Sequence, residues 1–181
     1  MTTPSQRVSR LTIIGFVCAL MLAAGLVFAG CTAPAASQGP TFPPPPPASP
    51  DLTTPEKAVD SYLAWVTFAY RMLNSDASSS TMEPTESVRV DSYIELNRQQ
   101  GKGIDQKLLK FEVKSSKTTG SEAVIVAHEE WEYSYFSVSE PTKSVSPVYK
   151  VEYDVTYTLR RGKDMLWRVD HLYAKPFGEV K

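Results

Sequence analysis

The stretch His128-Glu129-Glu130-Trp131-Glu132 is where metal or acid–base chemistry would first be sought in this chain. It begins as the zinc motif H-E-x-x-H begins, but Glu132 stands where the second histidine belongs. The surrounding alternation is also that of a strand, on which such positions do not sit one above the other as they do on a helix. Only two histidines occur, His128 and His171, which excludes a histidine-rich metal centre. No glycine-rich phosphate loop, no G-x-S-x-G elbow and no pair of Cys-x-x-Cys motifs is present. No metal or other cofactor is expected. What survives is Glu129. Alternation puts it beside Trp131 and Tyr133, and burial pushes a carboxyl toward its neutral form; a lysine or arginine paired with it at the rim would leave it ordinary. Trp131, Tyr133, Tyr153 and Tyr157 could line a pocket for an apolar or aromatic ligand. Together with Tyr135, Tyr149 and Tyr173, the tyrosines could equally be core and cross-strand packing with hydroxyls at the rim.

These side chains need strands to hold them. Leu109, Phe111 and Val113 alternate with Lys110, Glu112 and Lys114, and Thr118 to Ser121 supplies a turn. A second strand points Ile125, Ala127, Glu129, Trp131, Tyr133 and Tyr135 one way and His128, Glu130 and Glu132 the other. Ser139 to Pro147 reads as a flexible loop. The third strand sends Tyr149, Val151, Tyr153, Val155, Tyr157 and Leu159 inward, and its opposite row, Lys150, Glu152, Asp154 and Arg160, reads as a solvated face. After the turn Arg161 to Asp164, the pattern predicts Trp167, Val169, His171 and Tyr173 as the last inward row. Upstream, Thr53-Thr54-Pro55-Glu56 signals a helix start with Thr53 as cap and Glu56 closing a capping box. Ala58, Val59, Tyr62, Leu63, Val66, Tyr70 and Leu73 follow at helical spacing, with Trp65, Phe68 and Met72 widening the stripe; the helix ends near Asn74, before a polar stretch from Ser75 to Thr81. A second helix is predicted from Thr85 to Gln100, with Gly101 and Gly103 as its stop. Two helices followed by four antiparallel strands joined by hairpins make an α+β domain over residues 51–176, with a tail at 177–181.

The 181 residues carry a formal charge of −1, which argues against a nucleic-acid partner. Arg7 and Arg10 are the only charged side chains before an apolar run from Leu11 to Phe28. A basic start, an apolar core and small residues before Cys31 read as a secretory signal, although the run is also long enough to serve as a membrane anchor. Phe28-Ala29-Gly30-Cys31 resembles the lipobox of bacterial lipoproteins. That resemblance implies removal of residues 1–30, diacylglyceryl transfer to the Cys31 thiol, and a place on the extracytoplasmic face of the cell membrane. Cleavage would also remove Cys18, so no intramolecular disulfide is expected. With 17 basic against 20 acidic residues left, the mature chain would carry −3. Eight of the 14 prolines fall between Thr32 and Pro50, five of them consecutive from Pro43. Residues 31–50 therefore read as the lipidated cysteine and an uncharged, semi-rigid tether, reaching about 60 Å if fully extended as polyproline II.

The order of elements from Pro55 to Ala174, with Ala127 to Tyr133, Tyr149 to Leu159 and Trp167-Arg168-Val169, resembles the nuclear-transport-factor-two-like (cystatin-like) superfamily. It is similar to domains of bacterial envelope proteins and to the intermembrane-space domain of plant chloroplast-division proteins. The resemblance implies helices packed on a curved antiparallel sheet, shaped as a cone. The superfamily's isomerases and dehydratases place a carboxylate or histidine base with tyrosine donors inside that cone, which would cast Glu129, His171 and Tyr153, with Tyr157 nearby, in those roles. Its accessory domains are non-catalytic, and the strand from Tyr149 to Leu159 offers no acid or base other than phenols. The expectation is therefore a non-catalytic module binding an envelope protein or a small apolar ligand, with the isomerase or dehydratase as the alternative.

Overall fold

The structure is a computed structural model that describes residues 42–177. The apolar run, the lipobox with Cys31, the tether up to Thr41 and the last four residues lie outside the described residues. Among the described residues, no helix is long and apolar enough to cross a membrane.

Helix α1 runs Pro55–Met72 and α2 runs Pro84–Gln99, with a 3-10 helix, Ser75–Thr81, between them. Four strands follow: β1 (Lys102–Thr119), β2 (Glu122–Ser137), β3 (Tyr149–Arg161) and β4 (Trp167–Pro176). They form one antiparallel sheet in chain order. The helices cover one face, so the expected α+β arrangement of helices on an antiparallel sheet is the one observed.

The start of α1 differs from expectation by one residue. Thr54 is the cap, its hydroxyl accepting from the Lys57 N–H at 3.3 Å, and Pro55 opens the first turn. Thr53 turns back instead, donating through its N–H and hydroxyl to Asp51 at 3.1 and 2.6 Å, while Glu56 accepts from Ser116 on β1 at 2.6 Å. Leu73, expected on the helical stripe, ends the helix in the left-handed region at φ 53°. The polar stretch after it is not a plain linker. Asn74 caps a 3-10 turn, and Ser78 and Thr81 are buried with their hydroxyls donating to carbonyls three residues back.

The core lies between α1 and the middle of the sheet. Ala58, Val59 and Ala69 of α1, Ile125 and Ala127 of β2, and Leu159 and Val169 of β3 and β4 are wholly inaccessible. The helical layer is stitched to β4 by backbone hydrogen bonds, Trp167 N–H to the Leu52 carbonyl and Glu83 N–H to that of Val169, at 2.9 and 2.8 Å.

Two β-bulge regions change which side chains face inward. In β1, Leu108 pairs with Trp131 and Lys110 with Glu130, so Leu109 is an extra residue. Leu109 is exposed while Leu108 and Phe111 pack on the core; Val113 is exposed as well, short of a second shift. In β4, His171 pairs with Thr158 but Val169 with Leu159, leaving Asp170 as the extra residue. Parity flips there. Leu172 and Ala174 turn inward, and the predicted inward residues His171 and Tyr173 are exposed.

Residues 42–50 lie against α1. The Trp65 indole donates to the Ala48 carbonyl at 3.1 Å, and the Phe42 ring sits 5.1 Å from the Arg71 guanidinium. Arg71 is buried, with the Phe136 ring on β2 at 4.0 Å and the Pro141 carbonyl at 2.7 Å. Phe136 in turn lies on Gly103, where an added Cβ would come within 2.1 Å of the ring. Gly103 is thus a packing requirement. Gly101, with φ +70°, is the residue that turns the chain out of α2.

Candidate functional site

Both helices and all four strands surround a cavity of about 290 Å³. Its alignment follows from the alternation of β2 and β3: Glu129, Trp131 and Tyr133 come from one, Tyr153 and Tyr157 from the other, and Glu129 lies directly across from Tyr153 in register. The four aromatic residues named from sequence as ligand-binding candidates therefore share one wall. Leu172 and Ala174 complete it from β4.

Glu129 is 4% exposed. One carboxylate oxygen accepts from the Tyr157 hydroxyl in a short hydrogen bond, and the other from the Trp131 indole N–H at 2.8 Å. Burial raises its pKa, and those two donors pull it back only in part. Tyr157 moves the same way for the same first reason: burial, then the neighbouring Glu129 charge, hold its phenol protonated well beyond the usual range. No salt bridge involves Glu129 among the described residues. The rim lysine or arginine that would have made it ordinary is not there.

The opposite wall, lined by Tyr62 and Arg89, is backed by a second pair that strand alternation does not signal. Tyr62 on α1 donates to Glu86 on α2 in another short hydrogen bond. Arg89 closes on both: its Nε donates to the two Glu86 oxygens at 3.0 and 2.9 Å, and Nη2 donates to the Tyr62 hydroxyl at 3.0 Å. Glu86 is 1% exposed. A signal for this existed. Glu86, Val90, Ile94 and Asn97 fall at helical spacing, so the buried stripe of α2 starts with a charged residue, and an arginine follows it at i+3. Tyr62 and Tyr157, one from each pair, meet edge to face with centroids 6.1 Å apart.

Two other candidates fall elsewhere. His171 is outside the cavity, exposed, with Nδ1 3.1 Å from Asp170; the bulge at Asp170 is the reason. A base pair of Glu129 with His171 is therefore not formed. His128 sits on the outer face as alternation predicts, yet is nearly buried there, its Nδ1 3.1 Å from Asp154 and its ring edge-on to Phe177 at 5.0 Å. The outer row pairs across strands as a solvated face would, with Lys150 3.2 Å from Glu132.

Helices laid over one face of an antiparallel sheet, with a cavity between the layers reached by Glu129, define an NTF2-like α+β domain. The family model of the TcaA protein NTF2-like domain matches residues 53–160, and the chain belongs to that family. Comparison with curated proteins returns no match. Among solved structures, the intermembrane space region of the chloroplast protein ARC6 aligns at 19% identity with a TM-score of 0.54, over 72% of this chain and 100% of its own. An NTF2-like superfamily protein from Salmonella enterica serovar Typhimurium aligns at 7% identity and a TM-score of 0.49, over 70% of this chain and 93% of its own. A ketosteroid isomerase-like protein from Erwinia carotovora aligns at 16% identity and a TM-score of 0.46, over 71% and 97%. At 19% identity, the likeness to the ARC6 region shows the fold alone.

Proposed function

We propose that this protein is a lipid-anchored component of the bacterial envelope whose NTF2-like domain binds a ligand without transforming it. The observation that carries the non-catalytic reading is the state of Glu129. Both its oxygens are engaged by the protein's own donors, and the one histidine that could have worked with it faces solvent. A proton-transfer enzyme needs a base whose lone pair is aimed at substrate; here one lone pair on each Glu129 oxygen is taken by Tyr157 or Trp131. The cavity, by contrast, suits binding, being concave, mostly apolar and furnished with a few fixed polar groups. Anchoring through diacylglyceryl transfer to Cys31 rests on the resemblance of residues 28–31 to a lipobox; the spacer would be residues 32–41, because residues 42–50 lie against α1.

The isomerase or dehydratase reading keeps one point in its favour, that Glu129 and Tyr153 do share an open cavity. Purification of the full-length protein from membranes, followed by mass analysis of whatever small molecule accompanies it, separates the two. A bound molecule recovered chemically unchanged after prolonged incubation supports the binding module; progressive conversion to an isomer or a dehydrated product contradicts it. The anchor is tested separately by Cys31→Ala, which is expected to leave an unlipidated protein with its signal uncut. A mature, signal-cleaved Cys31→Ala protein still held in the membrane would overturn lipidation as the anchor.

A further inference from the structure

From the charge balance of the cavity wall, we infer that the ligand is an organic cation of the alkylammonium class, held by aromatic rings around the Glu129 carboxylate. The inference rests on the binding-module reading and adds the ligand's charge to it. Two charged side chains line the cavity, Arg89 and Glu129. Arg89 is already matched by Glu86, and its Nε and Nη2 protons are directed to Glu86 and Tyr62. Glu129 has hydrogen-bond donors but no counter-cation among the described residues, and a buried carboxylate without one is costly to ionise.

Three ligand charges can be compared on that wall. An anion would meet the Glu129 carboxylate, and the Arg89 guanidinium on the facing wall is already charge-paired with Glu86. A neutral molecule would leave Glu129 uncompensated. A cation supplies the missing charge, and the rest of the lining suits it. Trp131, Tyr133, Tyr153 and Tyr70 bring four rings from β2, β3 and α1 to the same space, and tyrosine and tryptophan faces attract ammonium groups that cannot keep their water. Tyr133 is further stacked on Tyr149, with centroids 5.2 Å apart, which fixes the orientation of its ring.

The test is calorimetric titration of the full-length protein in non-ionic detergent with choline, with dimethylbutanol as its neutral tert-butyl isostere, and with p-cresol as a neutral aromatic probe. Choline is expected to bind at least about ten-fold more tightly than the isostere. Glu129→Gln is expected to weaken choline by about ten-fold while leaving p-cresol unchanged. Should Glu129→Gln fail to fold, Tyr153→Leu removes a ring and keeps the carboxylate, with a several-fold loss expected for choline. Equal binding of choline and isostere overturns the cation assignment. So does binding of p-cresol without choline, which leaves the binding-module reading intact. If none of the three probes binds, both readings fall.

Discussion

The molecule contains two buried tyrosine–carboxylate pairs that meet through their rings, and they are built to different ends. Tyr62–Glu86 bridges α1 and α2 and is closed by Arg89, so every charge in it has a partner. Tyr157–Glu129 lies on the sheet, is braced by Trp131, and has no counter-cation among the described residues. The first pair behaves as structure: it ties α2 to α1 and keeps a charged residue satisfied under a helix. The second is satisfied in hydrogen bonds and unsatisfied in charge, and it borders the open cavity. Completing an ion pair locks a buried carboxylate in place; leaving one incomplete makes the site responsive to protons and ligands.

Breaking the closed pair has the largest expected effect. Glu86→Gln leaves Arg89 without its counter-ion, and the loss in urea unfolding free energy is expected to be about 3 kcal/mol, at the low end for a broken buried pair because Arg89 is half exposed. Glu129→Gln should cost less, about 1 kcal/mol at neutral pH, since the amide oxygen can keep one donor while the charge to be buried disappears. Its signature is in the pH dependence. The folded pKa of Glu129 is raised by burial, so its contribution to stability is full below the unfolded value and declines as pH rises through the folded one. Asp51 and Asp164 act in the other direction. The Lys57 ammonium beside Asp51, and the Arg168 guanidinium beside Asp164, hold these carboxyls down at about 2. Their contributions are present above the usual aspartate range and are lost as pH falls toward that value. Stability curves of Glu129→Gln should therefore lose the decline on the high-pH side and keep the acid limb. The smallest effect is expected for His171→Ala, within about 0.5 kcal/mol of the parent in thermal or urea unfolding, because the ring faces solvent. A larger loss there would mean that β4 has the other parity.

Much of this was legible in the sequence, and the rest fails for identifiable reasons. Strict alternation over residues 125–133 and 151–159 placed Glu129, Trp131, Tyr133, Tyr153 and Tyr157 on one wall, because a period of two leaves no freedom once one face is buried. A bulge is invisible to that reasoning. One extra residue, Asp170, reverses every side chain after it, so His171 was assigned inward and Leu172 outward when the opposite holds. The bulge at Leu109 likewise parts it from Phe111, with which it shares a row in the sequence pattern. The Glu86–Arg89 half of the site was overlooked because a charged residue at the start of a helix reads as a dipole partner, and only the helical spacing to Val90 shows that it points inward. The choice of Thr54 over Thr53 as cap turned on Asp51, which offers Thr53 a closer local partner.

Glu129 is a buried carboxyl that faces the cavity with no counter-cation among the described residues. Carbon-13 NMR titration of the Glu129 carboxyl in selectively labelled protein tests this directly, with and without saturating choline. A midpoint above the usual glutamate range is expected in the free protein, with a clear fall when choline is bound. A midpoint within the usual range that choline does not move would contradict it.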